Sequence, residues 1–185
     1  MTFDEYQKAA LRTASMNLGP DLEMCIRALG LAGETVELCD SMGTGDEAET
    51  KEAGDVLWYA ATLASSFGLS GADLGLDHLA WADHIEVDRG FAGLNLIKSS
   101  GQLAEMVKKQ VGHKKPADRA KVVRAIKMVI DALRVLAPVS LTEVAEINVA
   151  KLKARYPAGF DLATASTKPD SDDAAARLNH QGPVK

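Results

Sequence analysis

Apolar residues recur at three- and four-residue intervals along most of the chain, and no segment alternates with period two, so the pattern predicts helices and no strands. Phe3, Tyr6, Ala10 and Leu11 carry a first helix over 3–16. Asn17-Leu18-Gly19-Pro20 breaks it, and Asp21 is the candidate cap of the next. That second helix, over 22–41, offers Leu22, Ile26, Leu29, Leu31, Val36 and Leu38 as its apolar stripe. After the loop Gly43-Thr44-Gly45-Asp46 a third helix runs from Ala48 to Phe67. Gly68-Leu69-Ser70 ends it, and Ser70 can cap a fourth helix over 71–86. Asp88-Arg89-Gly90 reads as a connector, followed by helices over 92–111, 119–136 and 141–154. The middle one turns Val122, Val123, Ile126, Val129, Ile130 and Leu133 inward. Beyond Phe160 large apolar groups become scarce, and 161–185 reads as a disordered tail.

The expectation is therefore an all-α protein, an antiparallel helical bundle with short connections. The 185 residues, 46% hydrophobic and 25% charged, suit a globular chain that buries a core without disulfides or structural metal. A net charge of −5 disfavours general nucleic-acid binding, which needs cations against phosphates, but leaves a metal-carried nucleotide open. Cys25 and Cys39 have no metal-ligand spacing and lie among apolar residues, so buried, reduced thiols are expected. The opening Met1-Thr2-Phe3-Asp4-Glu5-Tyr6 lacks the basic start and apolar run of a signal peptide. No stretch is apolar enough to span a bilayer, and the expected setting is cytoplasmic, away from membranes.

Two acidic pairs carry the candidate chemistry. Glu34 and Glu37, then Glu52 and Asp55, are each spaced i, i+3, which puts both side chains of a pair on one helical face. A short loop separates the two helices, so antiparallel packing brings four carboxylates toward one point. At about 5 Å and an effective dielectric of 20, each pair of negative charges repels by about 3 kcal/mol. A hard divalent cation relieves that repulsion, and an all-oxygen ligand set points to Mg²⁺ or Mn²⁺ rather than zinc. Gly33 and Gly54, beside the pairs, each cost roughly 1 kcal/mol in a helix interior, which suggests a steric need. Against this, acidic pairs at this spacing are common on solvated faces, and Trp58 suits a core as well as a stacking platform. His78, His84 and His113 show no ligand or triad spacing, and no phosphate-loop, dinucleotide or nucleophile-elbow motif is present.

At these residues the chain resembles the MazG-like all-α NTP pyrophosphohydrolases, a superfamily that includes the dimeric dUTPases. The family pattern E-x-x-E, gap, E-x-x-D reads here Glu34, Glu37, Glu52, Asp55. The opening Phe3 to Ala10, the segments Leu29 to Glu34 and Ala53 to Tyr59, and the ending Ile147 to Phe160 are similar to its other motifs, so the resemblance covers 1–70 and 139–160. It implies Mg²⁺-dependent cleavage of the α–β phosphate bond of a nucleoside triphosphate, giving a monophosphate and pyrophosphate. Glu34, Glu37, Glu52 and Asp55 would hold the metal. Glu52 is assigned the general-base duty and Glu37 is the other catalytic carboxylate, although spacing does not separate the four. Asn148, Lys151, Arg155, Tyr156 and Trp58 would contact the nucleotide, with Lys151 and Arg155 on the leaving pyrophosphate; a solvated helix face accounts for the two cations equally well. Lys114 and Lys115 could also reach phosphates from their loop.

The stretch between the matching segments is longer than in short family members and resembles a second copy. Gly33 to Leu38 aligns with Gly101 to Met106, Asp55 to Trp58 with Lys127 to Ile130, and Leu69 to Leu74 with Val139 to Val144. Gln102, Glu105, Arg124 and Lys127 then stand where copy one has its acids, so the second metal site is lost. Asn148, Lys151, Arg155 and Tyr156 persist in copy two, where copy one has His78 and Trp81. The expected architecture is a single-chain pseudo-dimer of two four-helix-type repeats: 1–88 with intact acids, 89–160 degenerate and packed on it, and the tail. A helical insertion unrelated to copy one is the competing account of 75–138. Dimerisation of the fused unit stays open, as do a narrower dUTPase or dCTPase activity and a non-catalytic nucleotide-binding helical module.

Overall fold

The computed structural model describes residues 1–14, 16–76, 78–79 and 88–160, and every regular element among them is helical. The helices are α1 (Phe3–Leu11), α2 (Pro20–Ser41), α3 (Asp46–Ser66), α4 (Gly71–Leu74), α5 (Arg89–Gly112), α6 (Arg119–Leu136) and α7 (Leu141–Arg155). No helix among the described residues is long and apolar enough to cross a membrane. Trp81, His84 and the tail 161–185 lie outside the described residues.

Local chemistry sets the helix ends. Thr2 and Glu5 form a reciprocal capping box on α1, and Ser70 with Asp73 forms another on α4. α2 begins one residue before the expected cap: Gly19 occupies the cap position and Pro20 the first turn, where a missing N–H costs nothing, and Asp21 lies inside the helix. α1 stops at Leu11 rather than 16, and α4 stops at Leu74 because Gly75 adopts a left-handed conformation. The part of the predicted fourth helix over 80–86 lies outside the described residues. Asp88 is no connector residue; its side chain accepts from the Phe91 N–H and caps α5, which takes in Arg89 and Gly90. α6 and α7 match their predicted spans to within a residue.

α2, α3, α5 and α6 pack as four sides of a bundle, with α2 against α3 and α5, and α6 against α5 and α3. α2 and α5 run antiparallel: Gly93 at the start of α5 approaches the Cys39 Sγ, and Gln110 near its end donates to the Met24 sulfur. α1 and α7 lie on α3, and α4 lies on α6. The α2 stripe differs from expectation. Met24, Ala28, Leu31 and Leu38 face the core, whereas Leu22, Leu29 and Val36, seven residues apart on the opposite side, are exposed. Apolar residues on both faces of α2 made the inner face ambiguous from sequence. Val122, Ile126, Val129, Ile130 and Leu133 of α6 are buried as predicted, and Val123 is partly buried. Cys25 and Cys39 are free thiols, half-buried rather than fully enclosed.

Polar groups tie the outer helices on. The Gln7 amide donates to the carbonyls of Ala61 and Leu69, 3.3 and 2.9 Å away. The buried Glu49 carboxylate accepts from the Gly43 N–H at 2.7 Å and pairs with Arg89, which also donates to the Leu136 carbonyl. That arrangement fastens the turn between α2 and α3, whose Gly43 and Gly45 have φ of 84° and 139°. Gly33 and Gly54 differ. A side chain at Gly33 would meet nothing within 4 Å, whereas a Cβ at Gly54 would lie 3.1 Å from two atoms of Asn148. The steric need expected at both positions exists at Gly54 alone. Gly33→Ala should therefore stabilise the fold by about 0.5–1 kcal/mol through helix propensity. Gly54→Ala should lose about 1–3 kcal/mol, because overpacking against a fixed neighbour outweighs the same propensity gain. Urea denaturation of both variants checks the pair; equal signs would refute the account.

Candidate functional site

The turn at Gly43 and Gly45 folds α3 back along α2, and the two acidic pairs meet across the hairpin. One carboxylate oxygen from each of Glu34, Glu37 and Glu52 lies within 4.8 Å of the others. Glu52 is 7% exposed, its Oε1 accepts from the Lys51 ammonium at 2.8 Å, and its Oε2 is buried with no hydrogen-bond partner. A buried, unsatisfied carboxylate oxygen costs free energy unless something outside the protein meets it.

Asp55 lines the same hollow but is held differently. Its two oxygens accept from the Lys151 ammonium at 2.5 and 2.7 Å, and Oδ1 also accepts from the Asn148 amide at 3.2 Å. Asn148 is 2% exposed, and its Oδ1 accepts from the Tyr6 hydroxyl at 2.9 Å. Burial, reinforced by Asp55, pushes the Tyr6 hydroxyl well above the usual phenol range, so it remains a donor. Four carboxylates thus share one hollow, three of them converging and the fourth already neutralised by an ammonium.

The electrostatic strain falls on Glu34. Burial first, then the charges of Asp55, Glu37 and Glu52, raise its pKa from 4.5 to about 8, with Lys151 opposing.

The hollow holds about 300 Å³ and continues from the acids to an aromatic wall of Trp58, Tyr59, Tyr156 and Phe160. Trp58 is largely buried, its indole N–H donates to the Thr13 hydroxyl at 3.1 Å, and its ring stands edge to face with Tyr59. The Arg155 guanidinium lies 5.5 Å from the centre of the Tyr156 ring, which in turn packs on Phe160. Arg12 anchors this closing segment by donating to the carbonyls of Tyr156 and Pro157. On the other side of Lys51 and Lys151 lies a larger, open hollow of about 890 Å³ lined by Thr44, Ala48, Gly54 and Ile147.

All nine residues singled out from sequence, Glu34, Glu37, Glu52, Asp55, Trp58, Asn148, Lys151, Arg155 and Tyr156, are therefore at or beside one site, Asn148 lying behind it. Lys114 is not; it reaches Asp21 at 3.0 Å at the far end of α2. Lys51, Tyr6 and Thr13 were not picked out from sequence. Lys51 is adjacent in sequence to Glu52 and could have been flagged as its counter-ion. The Tyr6 pairing spans 142 residues and leaves no local signal.

No family model, curated protein or solved structure matches the chain, so its site is read from its own geometry.

A pH dependence follows from Glu34. Its folded pKa exceeds the unfolded value, so its contribution to stability is full below 4.5 and is lost as pH rises through about 8. In metal-free buffer the melting temperature should fall across that window, and Glu34→Gln should flatten the profile. A wild-type profile parallel to that of Glu34→Gln would refute the assignment.

Proposed function

We propose that this chain is a divalent-metal-dependent nucleoside triphosphate pyrophosphohydrolase of the MazG-like type, built as a single-chain pseudo-dimer. One observation carries the reading: three converging carboxylates, one with a buried partnerless oxygen, share a hollow with a lysine-bound aspartate and an aromatic wall. The donors fit a hard cation. They are oxygen only, they crowd negative charge that a dication would neutralise, and Glu52 Oε2 lacks a partner. Glu34, Glu37 and Glu52 would hold the ion, with Asp55 completing the shell.

A bound Mg²⁺ or Mn²⁺ would polarise phosphoryl oxygens and lower the pKa of a coordinated water. The protein's own groups do the rest. Lys51 occupies one oxygen of Glu52 and the other has no hydrogen-bond partner, so Glu52, or Glu37 beside it, can take a proton from water. As the water oxygen bonds to phosphorus, the α–β bridging oxygen departs with pyrophosphate, and the proton stays on the carboxylate. Lys151 and Arg155 line the hollow and supply positive charge for the leaving group. Trp58 and Tyr156 give the base an apolar wall, and Asn148 fixes Asp55.

The pseudo-dimer draws support from packing. The α2–α3 and α5–α6 hairpins lie against one another, and Gln102, Glu105 and Arg124 line a hollow on the second as Glu34, Glu37 and Glu52 do on the first. α7, from the second copy, reaches across to α3 with Asn148 and Lys151. The first copy would supply the metal shell and the second the phosphate grip.

The test is incubation with a panel of canonical and modified nucleoside triphosphates and Mg²⁺, following monophosphate and pyrophosphate together. Release should vanish in Glu37→Ala and Glu52→Ala, and Lys151→Met should lower kcat/KM by about a hundredfold. Mg²⁺ should also raise the melting temperature of the wild type and not of Glu52→Ala. No release from any nucleotide would refute the enzyme, and the absence of a Mg²⁺ shift would refute the metal centre.

A further inference from the structure

We propose that the α5–α6 hairpin carries a second, metal-independent binding site for polyphosphate-bearing small molecules, formed by Lys98, Lys121 and Arg124. The residues come from two facing helices. Lys98, Gln102 and Glu105 recur at i, i+4, i+7 on α5, and Lys121, Arg124 and Met128 at i, i+3, i+7 on α6, so each set shares one face. Together they border an open hollow of about 820 Å³.

The charge inventory separates this hollow from an ordinary solvated surface. Other cations nearby are engaged: Lys108 and Lys109 pair with Glu105, Arg119 with Asp73, Arg134 with Asp131, and Lys127 donates to the Leu74 carbonyl. Glu105 is the one carboxylate among the described residues lining the hollow, and those two lysines already neutralise it. Lys98, Lys121 and Arg124 have no carboxylate within ion-pair distance among the described residues. Three cations are thus left facing one hollow in a chain of net charge −5.

That arrangement selects its ligand by chemistry. A guanidinium presents a planar fork to phosphate oxygens, and two ammonium groups add mobile point charges, a combination suited to several linked phosphates. The Gln102 amide adds a neutral donor. Met106 and Met128 line the same hollow with half-buried apolar surface, which can take a base or remain idle. A Cβ at Gly101 would meet nothing within 4 Å, so the backbone leaves the rim open. The acidic hollow needs a cation before it can accept a phosphate; this one has positive charge in place. If the hairpins are repeats, Arg124 stands where the first copy has Glu52, and the same position has changed from attracting metal to attracting anions. The site itself depends neither on that relationship nor on the hydrolytic reading.

Calorimetric titration of the full chain in EDTA at low salt, with inorganic tripolyphosphate and separately with dATP, tests the proposal. EDTA keeps the acidic hollow from recruiting ligand through a metal. The expected result is saturable one-to-one binding that weakens at least about tenfold in Lys121→Glu/Arg124→Glu. Lys98→Ala, on the other helix, should weaken it less, and Lys8→Glu on α1, which packs on α3 and α7 away from this hairpin, should leave it unchanged. Equal affinity for the two probes would assign an inorganic polyphosphate, and a tenfold preference for dATP a nucleotide seated on the methionines; both outcomes support the site. Absence of saturable binding, an undiminished affinity in Lys121→Glu/Arg124→Glu, or equal weakening by Lys8→Glu would overturn it. A loss confined to Lys151→Met would move the binding to the acidic hollow and overturn it as well.

Discussion

The candidate site depends on one buried amide. Asn148 accepts from the Tyr6 hydroxyl of α1, donates to Asp55 of α3, and belongs to α7, so three helices meet through its side chain. An amide buried this deeply must have both its donor and acceptor needs met, and here they are met by groups remote in sequence. Gly54 is the complementary condition: the small residue beside Asp55 lets the amide sit against the α3 backbone. Removing either element leaves a polar group stranded or a methyl group overlapping the amide. The network therefore sets how α7 seats on α3, and with it the position of Lys151.

Charge balance is the second constraint. Four carboxylates in one hollow could not coexist cheaply, and the chain moderates them unequally. Lys151 covers Asp55 and Lys51 covers one oxygen of Glu52. What these two lysines do not cover appears as the raised proton affinity of Glu34 and the partnerless Glu52 oxygen. A bundle optimised for stability alone would replace such a cluster with neutral or apolar groups, since exposed counter-ions recover little of the cost. Such a cluster beside a lysine pair and an aromatic wall is what the proposed cation-dependent chemistry on a polyanion would use.

Much of this was legible in the sequence. Helical periodicity gave the all-helical class and the spans of the late helices, because α6 has one clear apolar face. It misread α2, where leucines on two faces compete and only tertiary contact decides which is buried. It also missed that Gly75 ends α4 and that Asp88 opens α5, since both depend on local backbone geometry. The i, i+3 spacing found the carboxylates, but could not tell that three converge while Asp55 turns to Lys151. That distinction comes from α7, about a hundred residues away, and spacing within a hairpin carries no information about it. For the same reason Gly33 and Gly54 looked alike in sequence and differ in the fold.

The two helical hairpins, α2–α3 and α5–α6, carry opposite electrostatics. Their inward faces are built from the same kinds of small and aliphatic residues, Leu31, Leu38, Ala53 and Leu57 in one and Leu96, Leu103, Ala125 and Val129 in the other. α2 and α3 gather negative charge with Lys51 beside it, and α7 adds Lys151; α5 and α6 gather lysine and arginine around a neutralised glutamate. Like charges separated across a bundle avoid one another, and an acidic hairpin packed on a cationic one gains a favourable long-range term, screened by salt. The fold thus holds two hollows of opposite charge on its two hairpins.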